Sequence, residues 1–399
     1  MKLSSLDEVL DYIRGVTFKP DQLCQNFIDD SVVCMRTKNV QAKLDLSDLI
    51  SVPKKIVKRE EQLLLNDDLL ISSANSWNLV GKAVQVKNLD YPATAGGFIS
   101  ILRPKKEIVD GDYLYWFITS DKTQEQIRSL ANKTTNISNL DRKRFLKLKI
   151  PLPPLETQKK IAEILSQADL LRQQAKQMET ELNQLAQSIF IDMFGDPANN
   201  TKGWLMGKIR DCCESVNYGS SSKADERVGH YPMLRMNNIT YSGGWNFDSL
   251  KYIDLSENDQ KKYLVKKGDL LFNRTNSKEL VGKTAVFNSD KEMAFAGYLI
   301  RLRVNEKAIP EYISAFLNSK YGKLKLQSMC KNIVGMANIN AKELQNIDIP
   351  MPDIKLQQKF QAIINEINSK QLHLDYEITE YQELFNSLMQ KAFKGELVA

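Results

Sequence analysis

The segment IPLPPLETQKKI (residues 150–161) returns as IPMPDIKLQQKF (residues 349–360), 199 positions further along the chain. The tetrapeptide LVGK also occurs twice, at residues 79–82 and 280–283, at an offset of 201. A period near 200 in a chain of 399 residues predicts two units, each a globular domain followed by a helix. A solenoid would instead need a period of about 20–50 residues.

The segment after the first copy predicts a long helix. From residue 155 to residue 194, apolar side chains recur at alternating spacings of three and four residues over four heptads, as in a coiled-coil seam of a and d positions. Pro153 and Pro154 hold the preceding chain extended, and Gly195 with Pro197 ends the helix. Forty residues with a rise of about 1.5 Å each form a rod of roughly 60 Å. The predicted seam residues are Ile161, Ile164, Ala168, Leu171, Met178, Leu182 and Leu185.

The second copy predicts a matching helix, since it aligns with the first without a gap. Polar Lys370 and Glu377 fall at d positions, and such polar layers favour a specified partner over indiscriminate self-association. We expect that partner to be the first helix, packed antiparallel if a pseudo-two-fold relates the halves. The alternative is a plain helical hairpin that closes one globule. The predicted seam residues here are Phe360, Ile363, Ile367, Leu374, Leu384 and Leu388.

The globular parts are predicted to be mixed α/β, of the α+β kind, because strand-like alternation and short helical stretches both occur in them. The predicted boundaries are a first domain at residues 1–150, a central helix at 151–197, a second domain at 198–349 and a distal helix at 350–399. The two halves differ most at residues 15–38 and 219–237, before the shared LVGK element. A shared frame with different loops is what two recognition domains of different specificity show.

Composition excludes several classes of protein. Hydrophobic residues make up 42% and charged residues 26% of the chain, as in an ordinary soluble protein. The N-terminus lacks the apolar region of a signal peptide and no window is apolar enough to span a membrane, so we expect a cytoplasmic protein. Five cysteines without a CxxC pair and only two histidines predict no metal site. The net charge of +6 is mild, so any DNA binding must rest on local clusters.

Motifs for covalent chemistry are absent from the sequence. Residues 282–284 read GKT, like the end of a phosphate-binding loop, but Ser277 stands where that motif needs its first glycine. The sequence has no [DN]PP[YF] of adenine methyltransferases, no GxGxxG, no nuclease-type ExK, and neither HExxH nor GxSxG. We therefore predict no catalytic residues, and no cofactor bound by this chain itself.

Polar segments in matching places of the two halves are candidates for DNA contact. Arginine suits guanine and asparagine suits adenine in the major groove, while serine, threonine and lysine suit phosphates. The alternative is that these are ordinary polar loops with capping and turn roles. The predicted DNA-binding residues are Arg36, Lys38, Asn39, Ser73, Asn75, Lys82, Asn136, Arg235, Asn237, Asn273, Arg274, Thr275, Asn276, Lys278, Lys283 and Asn338.

The motifs resemble those of one known family. PLPPLETQKKIAEIL, followed by a heptad helix that ends in MFGDP (residues 193–197), resembles the central conserved region of the specificity (S) subunit of type I restriction–modification enzymes. IPMPDIKLQQKF and the final helix resemble its distal conserved region, although Asp353 replaces the last proline of PLPP. GDLLFNRTNSKELVGKTAVF (residues 268–287) is similar to the target-recognition domains of that family.

The resemblance implies a division of labour. Each recognition domain is expected to read a few base pairs of a bipartite, asymmetric site in double-stranded DNA, while the helices set the unread spacer. Two methylation (M) subunits are expected to dock on the chain and to bring S-adenosylmethionine and the adenine-methylating residues. Two restriction (R) subunits are expected to add cleavage and translocation that depend on ATP and Mg. The chain itself is then the non-catalytic subunit.

Two other functions are compatible with the residues alone. The first is a stand-alone DNA nuclease or methyltransferase with an unrecognised active site, which activity of the purified chain would reveal. The second is a coiled-coil scaffold that never touches DNA, which salt-dependent and sequence-selective duplex binding would exclude.

Overall fold

A computed structural model of the chain describes residues 2–133, 137–333 and 336–397. Its contacts divide the chain into two compact units. Unit 1 comprises Met1–Gln174 and Ile378–Ala399, and unit 2 comprises Ala175–Glu377. The division crosses both long helices, so each unit contains one globular domain and a part of each helix.

The globular part of unit 1 is built from short strands and helices. Its central four-stranded antiparallel sheet has the order β2-β9-β5-β7, and the parallel pair β3-β8 belongs to a second sheet of order β4-β3-β8. A third sheet has the order β10-β11-β6, and β1 pairs with β12. The strands are β1 (Leu3–Ser5), β2 (Leu10–Arg14), β3 (Ser31–Met35), β4 (Ile50–Pro53), β5 (Leu69–Ser72), β6 (Ala74–Asn75), β7 (Ala83–Gln85), β8 (Ala93–Ala95), β9 (Ile99–Pro104), β10 (Ala131–Lys133), β11 (Ser138–Leu140) and β12 (Lys149–Pro151). The helices are α1 (Leu6–Val9), α2 (Gly111–Thr119), α3 (Asp121–Ser129), α4 (Arg142–Leu146) and the long α5 (Leu155–Phe194), which continues into unit 2.

Strand β5 is the centre of unit 1 because it is buried on both faces. Leu69 and Ile71 pack in one cluster with Tyr113 and Leu114 of α2, whereas Leu70 packs in another with Met35. Alternate side chains of a strand point to opposite faces, so this short apolar segment joins the helical layer to the second sheet.

Unit 2 repeats this topology strand for strand. Its sheets have the orders β14-β21-β17-β19, β16-β15-β20 and β18-β23-β22, with β13 paired to β24 and β15 parallel to β20. The strands are β13 (Met206–Lys208), β14 (Cys213–Tyr218), β15 (Tyr231–Leu234), β16 (Lys251–Ile253), β17 (Leu270–Asn273), β18 (Thr275–Asn276), β19 (Thr284–Val286), β20 (Ala294–Phe295), β21 (Leu299–Val304), β22 (Lys331–Ile333), β23 (Met336–Asn338) and β24 (Asp348–Pro350). The helices are α6 (Glu257–Tyr263), α7 (Pro310–Asn318), α8 (Lys320–Met329), α9 (Ala341–Gln345) and the long α10 (Ile354–Lys394), which continues into unit 1. The predicted α+β duplication with two long helices is confirmed.

The repeated LVGK tetrapeptide has a structural explanation in its glycine. Gly81 and Gly282 adopt φ angles of +86° and +83°, which L side chains rarely adopt. A Cβ atom would lie 2.4 Å from Ile127 in α3 and 2.5 Å from Leu326 in α8, respectively. The glycine therefore lets a helix pack directly on the turn between two strands of the central sheet.

A buried glutamine fixes the domain of unit 1 to its long helix. Gln158, 1% exposed, accepts a hydrogen bond from the Asp110 amide (3.0 Å) through its side-chain oxygen. Its side-chain nitrogen donates to the carbonyl oxygens of Ile108 (3.1 Å) and Pro153 (2.9 Å). The Tyr113 hydroxyl of α2 donates to the Pro151 carbonyl at 2.8 Å. Four bonds thus join the start of α2, the proline-rich segment and the first turn of α5.

Unit 2 contains the same attachment. Gln357, also 1% exposed, bonds the amide of Ile309 and the carbonyls of Lys307 and Pro352. The Tyr312 hydroxyl donates to the Pro350 carbonyl at 2.7 Å. The repeated glutamine of PLPPLETQ and PMPDIKLQ therefore has the same structural role in both copies.

The two long helices pack antiparallel. In unit 2 the Gln371 side chain donates to Asn183 at 3.2 Å, and Phe190, further along α5, packs at 5.8 Å on Phe360, which lies earlier in α10. In unit 1, α5 and α10 share an apolar cluster to which α10 contributes Phe385. The predicted antiparallel coiled coil is confirmed.

The predicted a/d seam is wrong in one of its two positions. Positions a are buried or half-buried, among them Ile161, Ala168, Leu182, Phe360, Ile367, Leu374 and Leu388, and Ile164 is half-buried. Predicted d residues are exposed instead: Leu171 (43%), Met178 (52%), Leu185 (48%), Ile363 (38%) and Leu384 (47%). The second buried position is e, where Leu165 is 0% and Phe385 7% exposed.

The outward d positions explain the polar residues that interrupt the predicted seam. Lys370 is ion-paired with Glu366 at 3.2 Å, one turn earlier in the same helix. Glu377 lies 3.5 Å from His373, also one turn earlier. Both side chains therefore make local pairs within α10 and form no polar layer in the seam.

Replacing the buried glutamine with alanine is expected to loosen the attachment of the domain. Gln158→Ala or Gln357→Ala should lower the free energy of unfolding by about 2–4 kcal/mol, because each leaves buried main-chain groups without partners. Hydrogen exchange of the Asp110 or Ile309 amide should accelerate in the corresponding variant. Gln177→Ala, at an exposed position of α5, is the control. Unchanged exchange at Asp110 in Gln158→Ala would contradict this role.

Candidate nucleic-acid interface

In unit 2, Arg274 lies between β17 of the four-stranded sheet and β18 of the three-stranded sheet β18-β23-β22. Its guanidinium carbon lies 4.9 Å from the ring centre of Tyr218, the last residue of β14. Its two terminal nitrogens donate long bonds, both 3.4 Å, to the Gly297 carbonyl and the Asn338 side-chain oxygen. Bonds of this length are weak, so stacking on the ring orients the guanidinium while its donors stay available for an incoming acceptor.

Asn338 links Arg274 to the neighbouring strand. Its side-chain nitrogen donates to the Thr275 hydroxyl at 2.7 Å, while its oxygen accepts from Arg274. Thr275 is 6% exposed and Asn273 is 0% exposed, and the Asn273 side-chain oxygen accepts from the Thr275 amide. Thr275 and Asn273 were predicted to contact DNA; the structure buries both as supports of the strand.

Two further predicted residues of this segment reach the surface. The side-chain oxygen of half-buried Asn276 accepts from the Ser277 amide at 2.9 Å, and Lys278 is exposed. Asn276 thus holds the turn that presents Lys278.

Unit 1 has the same backbone arrangement with smaller side chains. The Ser73 amide donates to the Phe98 carbonyl at 2.9 Å, as the Arg274 amide donates to the Tyr298 carbonyl at 3.0 Å. Ser73 therefore occupies the position of Arg274. Asn75 corresponds to Asn276 and likewise accepts from the next amide, at 2.8 Å.

The loops that begin at Arg36 and Arg235 are also equivalent. Each arginine amide donates, at 2.8 Å, to the side chain of an asparagine three residues later. Asn39 is that residue in unit 1; it is 1% exposed and its nitrogen is bonded to the carbonyls of Asp45 and Asp48. The polar atoms of Asn39 therefore hold the loop, and its contact with DNA stays a prediction.

The electrostatics of the two loops differ. Arg36, at 3.1 Å, and Lys38 both pair with the Asp48 carboxylate. Arg235 instead donates to the Ser249 carbonyl at 2.6 Å, and Asn237 donates to the Ser249 hydroxyl at 2.9 Å. Arg235 is thus bonded to a neutral carbonyl oxygen, whereas Arg36 and Lys38 share one carboxylate.

The two LVGK lysines lie in different surroundings. Lys82 is half-buried at the surface and donates to the Gln41 side chain at 2.6 Å. Lys283 is 7% exposed and bonds the Ile239 carbonyl, and burial lowers its pKa. The ammonium group of Lys283 is thus enclosed by the protein, and its contact with a phosphate stays a prediction.

Several residues of this surface were not predicted from the sequence. Tyr218 supports Arg274, and Lys133 lies 5.3 Å from the ring centre of Trp77 in unit 1. Phe98 and Tyr298, beside the Ser73 and Arg274 positions, are 62% and 52% exposed. Aromatic residues are not among the polar residue types from which the DNA contacts were predicted. The predicted Asn136 lies outside the described residues.

Two copies of one α+β domain, each with its own set of side chains on equivalent strands and each fixed to a long helix, define a duplicated recognition protein. The model of the type I restriction modification DNA specificity domain matches the chain twice, at residues 1–184 and 201–383. The chain belongs to that family.

Curated relatives span nearly the whole chain. The type I restriction enzyme EcoKI specificity subunit of Escherichia coli K12 is 28% identical over 100% of this chain and 89% of its own length. The StySPI specificity subunit of Salmonella potsdam is 25% identical over 97% of this chain and 87% of its own length. Both similarities include the two recognition segments and the two helices.

Solved structures support the fold. The S subunit of a type I restriction–modification system from M. genitalium superposes with a TM-score of 0.61 at 16% identity, covering 98% of this chain and 96% of the other. A chain from a study of complex assembly of the type I system superposes with a TM-score of 0.53 at 16% identity, covering 99% and 98%. Within the described part of the chain, no helix is both long and apolar enough to cross a membrane.

Stability is expected to depend on pH through a buried lysine near Lys283. Lys323 is 8% exposed, and burial together with the charge of Lys283 lowers its pKa to about 8. Between pH 8 and 10.5 the unfolded state then binds more protons, so the free energy of unfolding should rise with pH by up to about 3 kcal/mol. Lys323→Met should remove this rise in urea titrations across that range. Lys320→Met, at an exposed position, should retain it; an equal rise in both variants would refute the assignment.

Proposed function

We propose that this chain is the DNA sequence-specificity subunit of a type I restriction–modification complex. Its two recognition domains read the halves of a bipartite, asymmetric site in double-stranded DNA. One observation carries the proposal: Ser73 and Arg274 occupy equivalent positions on the same frame, so the frame is repeated while the recognition side chain differs. The family supports this assignment, because its matching model describes a DNA specificity domain.

The chemistry of the two surfaces supports an asymmetric site. A guanidinium such as that of Arg274 donates two bonds to the O6 and N7 atoms of guanine. Asn338 beside it is bonded through both of its side-chain polar atoms, to Arg274 and to Thr275, and so helps to position the guanidinium. Unit 1 presents Ser73 and Asn75 in the corresponding places and Lys82 nearby. We infer that unit 2 reads a guanine where unit 1 does not.

The helices are proposed to set the spacer between the half-sites. Helices α5 and α10 contain 40 and 41 residues, which corresponds to roughly 60 Å of length each. This length exceeds one turn of duplex DNA, about 34–36 Å. We infer that the length of the two helices determines the number of base pairs between the half-sites.

The exposed d residues support docking of methylation subunits on the same helices. Helices of multi-helix bundles carry a wide apolar face of a, d and e positions. In this chain the a and e positions are buried or half-buried, while Met178, Leu185 and Ile363 at d remain 38–52% exposed. We propose that helices of two M subunits cover this stripe.

The catalytic steps are proposed to belong to the partner subunits, in the cytoplasm. Two M subunits bring S-adenosylmethionine and methylate adenine, and two R subunits add cleavage and translocation that depend on ATP and Mg. This chain supplies the recognition surfaces and the frame. The names of its curated relatives, all specificity subunits, favour that division.

Sequencing the methylome of the host with and without this chain tests the proposed function. Methylation should appear at one bipartite motif that depends on the chain. Arg274→Ala should relax a single base position in one half-site, with a loss of discrimination of about 1–3 kcal/mol, because a bidentate guanine contact is removed. Lys278→Ala is the matched control and should weaken all sites alike. A motif that stays unchanged in Arg274→Ala would contradict the assigned contact.

The proposed docking of M subunits on the exposed d residues leads to a separate prediction. Met178→Glu with Leu185→Glu should reduce co-purification of the M subunit, because the change buries charge in an apolar interface. DNA binding by the chain alone should be preserved. Lys176→Glu with Gln177→Glu, at exposed positions of the same helix, is the control. Full retention of the M subunit by the d-position variant would refute the proposed docking face.

A further inference from the structure

Unit 2 contains a partly open cavity of about 540 Å³ between α7 and the two long helices. Its floor is largely apolar, and its residues all belong to unit 2. Among the residues that line it are Ala186, Phe190, Glu311, Ala315, Ile364 and Ile367.

The corresponding space in unit 1 is filled by aromatic side chains. Trp116, 7% exposed, donates from its indole nitrogen to the Ser166 hydroxyl at 3.2 Å and packs at 5.5 Å on the ring of Phe385. The guanidinium of Arg172 lies 4.4 Å from the centre of the Phe385 ring. Tyr115 adds a second ring, 4.9 Å from Trp116.

The internal repeat identifies the residues that leave this space open in unit 2. Trp116 follows the attachment residue Tyr113 by three positions, and Ala315 follows Tyr312 by three. Tyr115 likewise corresponds to Ser314. The cavity therefore lies where a large aromatic residue of unit 1 is replaced by alanine.

The same comparison holds on the helix side. Arg172 donates to Gln382 at 3.2 Å in unit 1, and the equivalent pair in unit 2 is Gln371 with Asn183, also at 3.2 Å. Three residues beyond Gln382 stands Phe385. Three residues beyond Asn183 stands Ala186. The aromatic side chains of Trp116 and Phe385 in unit 1 thus correspond to the methyl side chains of Ala315 and Ala186 in unit 2.

The carboxyl group of Glu311 inside the cavity indicates that an occupant should carry a positive charge. Glu311 is 6% exposed, and its hydrogen-bond partner is the Gln361 amide at 2.9 Å. Burial raises the pKa of Glu311. The ion pairs found among the described residues do not include Glu311, and Lys320 at the rim is exposed. A cation that entered with the occupant, like Arg172 beside Phe385, would complement this carboxyl group.

The rim favours a polypeptide over DNA or a small molecule. Ile191 and Leu324 line the cavity and are 43% and 59% exposed, so apolar surface continues beyond it. The acidic groups of Glu311 and Asp196 disfavour a phosphate backbone. The helices that form the floor are also those on which the M subunits are proposed to dock.

We propose that this cavity is the socket for an aromatic side chain, flanked by a basic residue, on a methylation subunit. The inference rests on the proposed function, because it assigns a contact within that assembly. Unit 1 fills the equivalent space with its own Trp116 and Phe385, so the socket belongs to one side of the chain. The contact is therefore asymmetric between the two halves.

Filling the socket from within tests the proposal. Ala315→Trp with Ala186→Phe recreates the unit 1 arrangement in the full chain, and affinity for the M subunit should fall about 10- to 100-fold, as for loss of a central interface anchor. Glu311→Gln should weaken assembly about tenfold through loss of the charge partner. Ser188→Trp, which adds an indole at an exposed position of α5, is the control and should bind normally. Normal assembly by the filled variant would overturn the proposal.

A small probe keeps the test decisive if the filled variant does not fold. In ¹⁹F NMR, 5-fluoroindole should bind the unmodified chain saturably and should be excluded once the M subunit is assembled. Probe binding that persists in the complex would overturn the proposal, as would absence of binding to the chain alone. Failure of the unmodified chain to bind any M subunit would instead refute the proposed function. The two failures are thus distinguishable.

Discussion

Each globular domain is held on its long helix by one buried glutamine side chain, Gln158 in unit 1 and Gln357 in unit 2. The proline-rich segment before each helix cannot complete a strand ladder, because proline has no amide hydrogen. Its carbonyl oxygens accept side-chain donors instead, from the glutamine and from Tyr113 or Tyr312. These bonds act together with apolar packing of the domain on Ile161 and Leu165 in unit 1 and on Phe360 in unit 2, and they explain why the segment repeats so closely.

The sequence allowed the helices to be predicted but not the face that each buries. Helix α5 covers residues 155–194, the range that the heptad pattern predicts. Leu165 and Leu171 are both apolar, yet the first is buried and the second is 43% exposed. A helix with apolar a, d and e positions can bury either its a and d side chains or its a and e side chains against a neighbouring helix. Which pair is buried depends on what packs on the third position. Periodicity within one helix does not contain that information.

The candidate site was predicted in outline, since both polar segments lie on equivalent strands. The exposure of individual side chains was not predicted. Asn273 is buried and Asn276 is half-buried, because successive residues at a strand end alternate between the core and the surface. Lys82 and Lys283 share the same tetrapeptide but not the same exposure. Ile239, 44 residues earlier in the chain, supplies the carbonyl that holds Lys283, and a local motif cannot reveal such a distant partner.

The two copies of the recognition domain differ at the strand end and at the helix end. The glutamine that attaches each domain to its long helix is the same in both. At the strand end Ser73 corresponds to Arg274, and at the helix end Trp116 corresponds to Ala315. Under the proposed function, a change at the strand end alters which bases are read, and a change at the helix end alters which partner side chain can dock. Neither change replaces a residue of the glutamine attachment, which both copies keep. If two M subunits dock as proposed, they meet unequal surfaces, and the asymmetry proposed for the DNA site extends to the protein partners.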